Sequence, residues 1–174
     1  QEIQGLIGYV SQDDLLFEEL TVWENLYFNA SLCFDQLTRS AIEVKVERIL
    51  NELELWSFKD LKVGSPLKKI ISGGQRKRLN VALELIREPS VLFLDEPTLG
   101  LDPQGQEDIQ ALLQSLNQQG VTIFFSSHLL DEVAELCSRV VIINYGKLVA
   151  SGTIAELQKQ TDRKDDTLKD IFLS

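Results

Sequence analysis

Three short runs set the limits on what this chain can fold into. Val91-Leu92-Phe93-Leu94, Val121 to Phe125 and Val140 to Ile143 are dominated by apolar side chains and are only strand-long. A strand with one wet face alternates apolar and polar residues, whereas a continuous run suits a strand covered on both faces. Helical stripes separate the runs. Ile109, Leu112, Leu113 and Leu116 mark one helix that Gly120 can end, and Leu130, Val133 and Leu136 mark a shorter one. Buried strands alternating with amphipathic helices predict an α/β fold, a mostly parallel sheet flanked by helices. Ligands of such sheets bind at the carboxyl ends of the strands. That rule directs attention to Gln12, which follows a predicted strand over Gly5 to Val10, to Asp95-Glu96, and to Ser126-Ser127-His128.

The remaining segments are more helical. Thr21-Val22-Trp23-Glu24 has capping-box spacing and predicts a helix running towards Ala30. A second helix follows Thr38, with Ile42, Val46, Ile49, Leu50 and Leu53 on one stripe, so residues 21–60 read as a helical segment. Lys62 to Ile71 reads as a loop carrying Gly64 and Pro66. Leu79, Ala82, Leu83 and Ile86 predict a helix from about Gln75 to Arg87, stopped by Pro89. Tyr145-Gly146 turns the third run into a strand from Lys147 to Ala150, and Thr153 to Glu156 is another capping box.

Composition narrows the function classes. The 174 residues are 44% hydrophobic, which suits one folded domain, and no apolar run approaches the length of a membrane span. Cys33 and Cys137 match no metal spacing and read as reduced thiols. A net charge of −10 argues against a nucleic-acid partner. The charge is uneven: residues 61–90 hold seven basic side chains against two acidic, and residues 91–135 hold eight acidic and no Lys or Arg. Most of these read as two solvated faces of opposite sign.

A few residues carry chemistry. Asp95 and Glu96 end a strand, and successive strand side chains point opposite ways, so the two carboxylates can take different tasks. One can hold Mg²⁺, usually through water, and the other can polarise a nucleophilic water. In Ser72-Gly73-Gly74-Gln75 two glycines open a helix and allow close approach to a ligand, and a helix N-terminus favours phosphate. His128, the only histidine, stands at a strand end, as does Gln12, whose amide oxygen can bind an ion or water.

Taken in order, these residues resemble the ABC ATPase family motif by motif, over essentially the whole chain. Ile71-Ser72-Gly73-Gly74-Gln75 resembles the signature sequence, with Ile in place of the usual Leu. Val91 to Glu96 resembles Walker B, and Leu99-Gly100-Leu101-Asp102 the D-loop, where Leu99 replaces the commoner Ser. Gln12 looks like the Q-loop glutamine and His128 the H-loop histidine. The resemblance implies a P-loop NTPase-like fold with an ABC-type helical subdomain at about 20–88, including the signature motif. Residues 1–19 and 89–157 would form the RecA-like core and residues 158–174 a C-terminal tail. It further implies two such domains paired head to tail, each ATP lying between Walker A of one and the signature loop of the other. On that pattern Asp95 supports Mg²⁺ and Gln12 senses it, Glu96 activates water, and His128 contacts the γ-phosphate. Ser72, Gly73, Gly74 and Gln75 face the opposite subunit's nucleotide, with Asp102 beside them.

A phosphate-gripping loop needs Gly-x₄-Gly-Lys-Ser/Thr. Gly100 and Gly105 have the glycine spacing, but Gln106-Glu107 follow and supply neither the Lys nor the hydroxyl. The family places Walker A ahead of the Q-loop, so the first strands and Walker A are expected to precede Gln1. The chain is then a partial sequence whose own ATP turnover is weak or nil. Gln75-Arg76-Lys77-Arg78-Leu79-Asn80, Ser127 to Glu132 and the closing Leu168 to Leu173 resemble exporters in which the ATPase serves an ABC-2-type permease at the cytoplasmic face of a membrane. The Trp23-Glu24-Asn25-Leu26 helix lies where the family meets its membrane subunit. Two alternatives stay open: a soluble ABC ATPase acting in translation or DNA repair, and a degenerate regulatory module, against which Asp95, Glu96 and His128 argue.

Overall fold

The computed structural model describes residues 7–65, 68 and 70–160. It forms two compact units, one ending at Ser126 and the other starting at Ser127.

In the first unit β1 (Ile7–Val10), β2 (Val91–Asp95) and β3 (Thr122–Ser126) make a parallel sheet in that order. Val10 stands beside Leu94, and Asp95 beside Ser126. The three strands therefore end together, and Gln12, Asp95-Glu96 and Ser126 leave from one edge. Four helices accompany the sheet: α1 (Val22–Cys33), α2 (Arg39–Glu52), α3 (Gly73–Leu85) and α4 (Pro103–Gln118). A short 3₁₀ turn at Trp56–Phe58 follows α2. Each α-helix starts where the sequence supplies a side-chain acceptor, at Thr21, Thr38, Ser72 and Asp102. Such caps contribute about 1 kcal/mol each. α4 adds Pro at its first position, where the missing N–H costs nothing.

The fully buried Leu26, Leu50, Leu79, Ile86, Leu92 and Ile109 belong to a single apolar cluster that joins the helices to the sheet. Truncating one of them to Ala costs about 2–5 kcal/mol.

Two expectations need correction. Among the described residues, the strands of this sheet are covered on one face, not both. Leu92 and Leu94 are 0% and 2% exposed, yet the alternate positions Tyr9, Phe93 and Phe124 are 58%, 39% and 54% exposed. These three occupy one cross-strand row, and the Phe93 and Phe124 rings stack at 5.0 Å. Helices α3 and α4 pack on the opposite face, so the aromatics cover one another instead. An unbroken apolar run therefore marked a strand without telling how many of its faces are packed. The second correction concerns α3, which begins at Gly73 rather than Gln75, because the Ser72 cap sets its start.

The second unit holds α5 (Leu130–Leu136), the antiparallel pair β4 (Val140–Asn144) and β5 (Lys147–Gly152), and α6 (Ile154–Gln160). Tyr145 and Gly146 both have positive φ, 46° and 72°, as a two-residue hairpin turn requires. The Thr153 box forms as expected: Glu156 Oε2 accepts from the Thr153 amide at 2.8 Å, and Thr153 Oγ1 accepts from the Glu156 amide at 3.2 Å. Among the described residues no helix is long and apolar enough to cross a membrane. Gly5, Pro66 and Leu168 to Leu173 lie outside the described residues, as does most of the expected tail.

Candidate functional site

The start of α3 is built by reciprocal hydrogen bonds. The Gln75 amide donates to Ser72 Oγ at 3.1 Å, and the Ser72 amide donates to Gln75 Oε1 at 2.8 Å. The first amides of the helix, those of Gly73 and Gly74, have no acceptor within the helix. No acidic residue occupies the first turn. The glycines also permit close packing. A Cβ on Gly73 would lie 3.1 Å from Leu101 Cδ2, and one on Gly74 would lie 3.6 Å from Gly105 Cα. The starts of α3 and α4 thus stand side by side. Gly105 is itself constrained, since a Cβ there would come within 2.7 Å of the capping Asp102 carboxylate. Ser72, Gly74, Gln75, Asp102 and Arg78 line a shallow cleft over both helix starts.

At the strand ends Asp95 Oδ1 accepts a hydrogen bond from Ser126 Oγ. Glu96 adopts a positive φ of 43°, a conformation that costs a residue with a Cβ about 1–2 kcal/mol. Its amide is held by Ser126, donating to the carbonyl oxygen and to Oγ, each at 3.2 Å. The kink breaks the strand between the two carboxylates. Gln12 is exposed in the loop after β1 and lines a second cleft with Gly73, Lys77, Gly100 and Leu101. One sheet edge and the start of α3 thus bring together Gln12, the 72–75 loop, the Gly100–Asp102 turn and Asp95-Glu96. His128 belongs to the second unit. It is exposed and follows Ser127, whose Oγ donates to Glu132 Oε2 at 2.8 Å and accepts from the Leu129 amide at 3.1 Å.

The basic stretch is not all solvated. Arg76 and Lys77 are 5% and 8% exposed. The Arg76 guanidinium binds both oxygens of Asp14, at 2.8 and 3.0 Å, and donates to the carbonyls of Val63 and Gly64. Lys77 Nζ donates to the carbonyls of Ser11 at 3.3 Å and Asp95 at 3.5 Å. Burial pushes the Lys77 ammonium below its ordinary pKa, and the nearby carboxylates of Asp95, Asp14, Asp13 and Glu96 oppose the shift. Both residues escape a reading of local charge because their partners come from the loop after β1. The Asp13-Asp14 pair directly after Gln12 is the available hint.

Among the described residues no three His, Cys, Asp or Glu side chains form a metal cage. The Asp95 carboxylate and the Gln12 carboxamide are hard oxygen donors at one sheet edge. Few protein oxygens suit Mg²⁺, which keeps several waters and takes the rest of its shell from phosphates.

The ABC transporter family model matches residues 1–99. The broad substrate specificity ATP-binding cassette transporter ABCG2 of Bos taurus is 39% identical over 86% of this chain and 23% of its own length. The linearmycin resistance ATP-binding protein LnrL of Bacillus subtilis is 34% identical over 87% of the chain and 46% of its own length. The chain spans less than half of either relative. The solved structure of cbiO1 from Clostridium perfringens, part of the ABC transporter complex cbiONQ, superposes with a TM-score of 0.78 at 32% identity, over 91% of this chain and 61% of that one.

Proposed function

The chain belongs to the ABC transporter family, and from that premise we propose that it is the larger part of an ATP-hydrolysing domain driving an exporter with an ABC-2-type permease. The observation that carries this reading is the start of α3: two glycines, a neutral Ser72–Gln75 box and no acid in the first turn. Such a terminus receives a phosphate on its amides and its dipole. Ser72, Gly73 and Gly74, with Gln75 fixing their geometry and Asp102 the turn beside them, engage the nucleotide held by a second, head-to-tail ATPase domain. Residues of about 20–88 act as the helical subdomain that meets the permease at the cytoplasmic face of the membrane.

Hydrolysis needs a water oxygen to bond to the γ-phosphorus while the bond from phosphorus to the bridging oxygen breaks. Glu96 takes the proton of that water, and the Ser126 contacts to its amide fix where its side chain begins. Asp95 and Gln12 hold Mg²⁺, which when bound neutralises phosphate charge. His128 contacts the γ-phosphate. The 174 residues contain no Gly-x₄-Gly-Lys-Ser/Thr, so the chain by itself turns over ATP weakly. The similarity to ABCG2 and LnrL supports the exporter reading over a soluble ATPase of translation or repair.

The test is ATP turnover by the intact protein that carries this chain. Glu96→Gln is expected to lower kcat by about 10²–10⁴-fold with nucleotide binding retained, the range for loss of a general base. Unchanged turnover in that variant would overturn the assignment.

A further inference from the structure

Lys77 lies two residues past the Ser72–Gln75 box of α3, and it turns inward rather than to solvent. Its two carbonyl acceptors are not arbitrary. Ser11 directly precedes Gln12, and Asp95 is the first of the two carboxylate residues. β1 and β2 are neighbours in the sheet, and past Val10 and Leu94 their ladder stops. The Lys77 ammonium bridges the two strands at that point. An ammonium has three donors and no acceptor, so one group can serve both carbonyls. A buried charge is costly unless held by such partners, which fixes the side chain where it is. Arg76 is buried too but bonds elsewhere: it ties Asp14 to the carbonyls of Val63 and Gly64.

We propose that Lys77 is a positioning residue for ATP hydrolysis, holding Gln12 and the Asp95-Glu96 pair in fixed register with the start of α3. The inference rests on the ATPase reading above. It makes one side chain the mechanical link between the loop carrying Gln12, the carboxylates and the 72–75 loop. A displacement of Gln12 then reaches Asp95 through Lys77.

The experiment uses the intact protein. Lys77→Met keeps the length and removes the charge and donors. It is expected to lower kcat about tenfold with KM for ATP within about twofold, the cost of a small misplacement. Lys77→Arg restores much of the loss. Gln12→Ala lowers kcat in the unmodified protein but adds little in the Lys77→Met background, since the two act as a unit. Hydrogen exchange at the Glu96 amide, which Ser126 protects, is expected to quicken about tenfold in Lys77→Met, with exchange elsewhere in the core unchanged. Lys77→Leu, which likewise lacks the charge and the donors, is read in the same way if Lys77→Met does not fold. The proposal fails if kcat stays within about twofold, or if the Lys77 and Gln12 effects simply multiply. If turnover proves insensitive to Glu96→Gln, the ATPase reading fails instead. The exchange measurement needs no turnover and still decides the positioning, being negative if the Glu96 amide is unaffected.

Discussion

Helices α1 and α3 start with the same hydrogen-bond pattern and opposite electrostatics. At α1 the Glu24 amide donates to Thr21 Oγ1 at 3.1 Å, and the Thr21 amide donates to the Glu24 carboxylate at 2.8 Å. At α3 the same loop is closed by Ser72 and the uncharged Gln75. Glu24 satisfies the positive end of its own helix. Gln75 gives the same geometry and leaves that end of α3 without a countercharge. Thr153–Glu156 follows the α1 pattern. A capping box can therefore serve only to start a helix, or it can start one and keep its terminus receptive to an anion, and the residue at its third helical position decides which.

Exchanging that residue breaks the difference most directly. Gln75→Glu retains both hydrogen bonds and places a carboxylate where a phosphate is proposed to bind. ATP turnover by the intact protein is expected to fall about 10–100-fold, corresponding to about 1.4–2.7 kcal/mol, with the folded structure preserved. Unaltered kinetics would show that the start of α3 meets no anion. Thr21→Ala probes the other helix. It is expected to cost about 1 kcal/mol in urea unfolding and to leave turnover per folded molecule unchanged. The smallest effect concerns pH. The Thr21 backbone hydrogen bond, followed by the Thr21 side chain, holds the Glu24 carboxyl below its ordinary pKa, with a lesser contribution from Lys62 and with burial opposing. A depressed carboxylate contributes stability above its unfolded pKa and loses it as pH falls through the folded value. The Thr21 amide is thus expected to shift on acidification in an NMR titration, with an inflection below the usual glutamate range that Glu24→Gln abolishes. The Ser72–Gln75 box contains no ionisable group to titrate in this way.

Local signals carried much of this molecule. The capping boxes at Thr21 and Thr153 and the stripes of α2 and α4 were legible because their partners lie three or four residues apart. The strand ends were legible as well, since Asp95-Glu96 interrupts an apolar run abruptly. Three features were not. Whether Phe93 and Phe124 are covered depends on which helices pack on which face, and an apolar run is silent on that. The burial of Arg76 and Lys77 depends on Asp14 and on the Ser11 and Asp95 carbonyls, which local charge counting does not place nearby. The positive φ of Glu96 accompanies its hold on Ser126 across the sheet and has no signature in residue type.

The register of the sheet bears on the order in which the molecule is assembled. β2 and β3 are separated in the chain by α4, whereas Ile7 of β1 pairs with Val91 only after α1, α2 and α3 have intervened. Closing a longer loop costs more entropy, and distant pairings wait until intervening structure shortens the search. Pairing β1 with β2 is therefore the costlier of the two closures, and the Arg76–Asp14 and Lys77–Ser11 contacts depend on it. The cleft at Gln12 thus depends on the more distant of the two strand pairings.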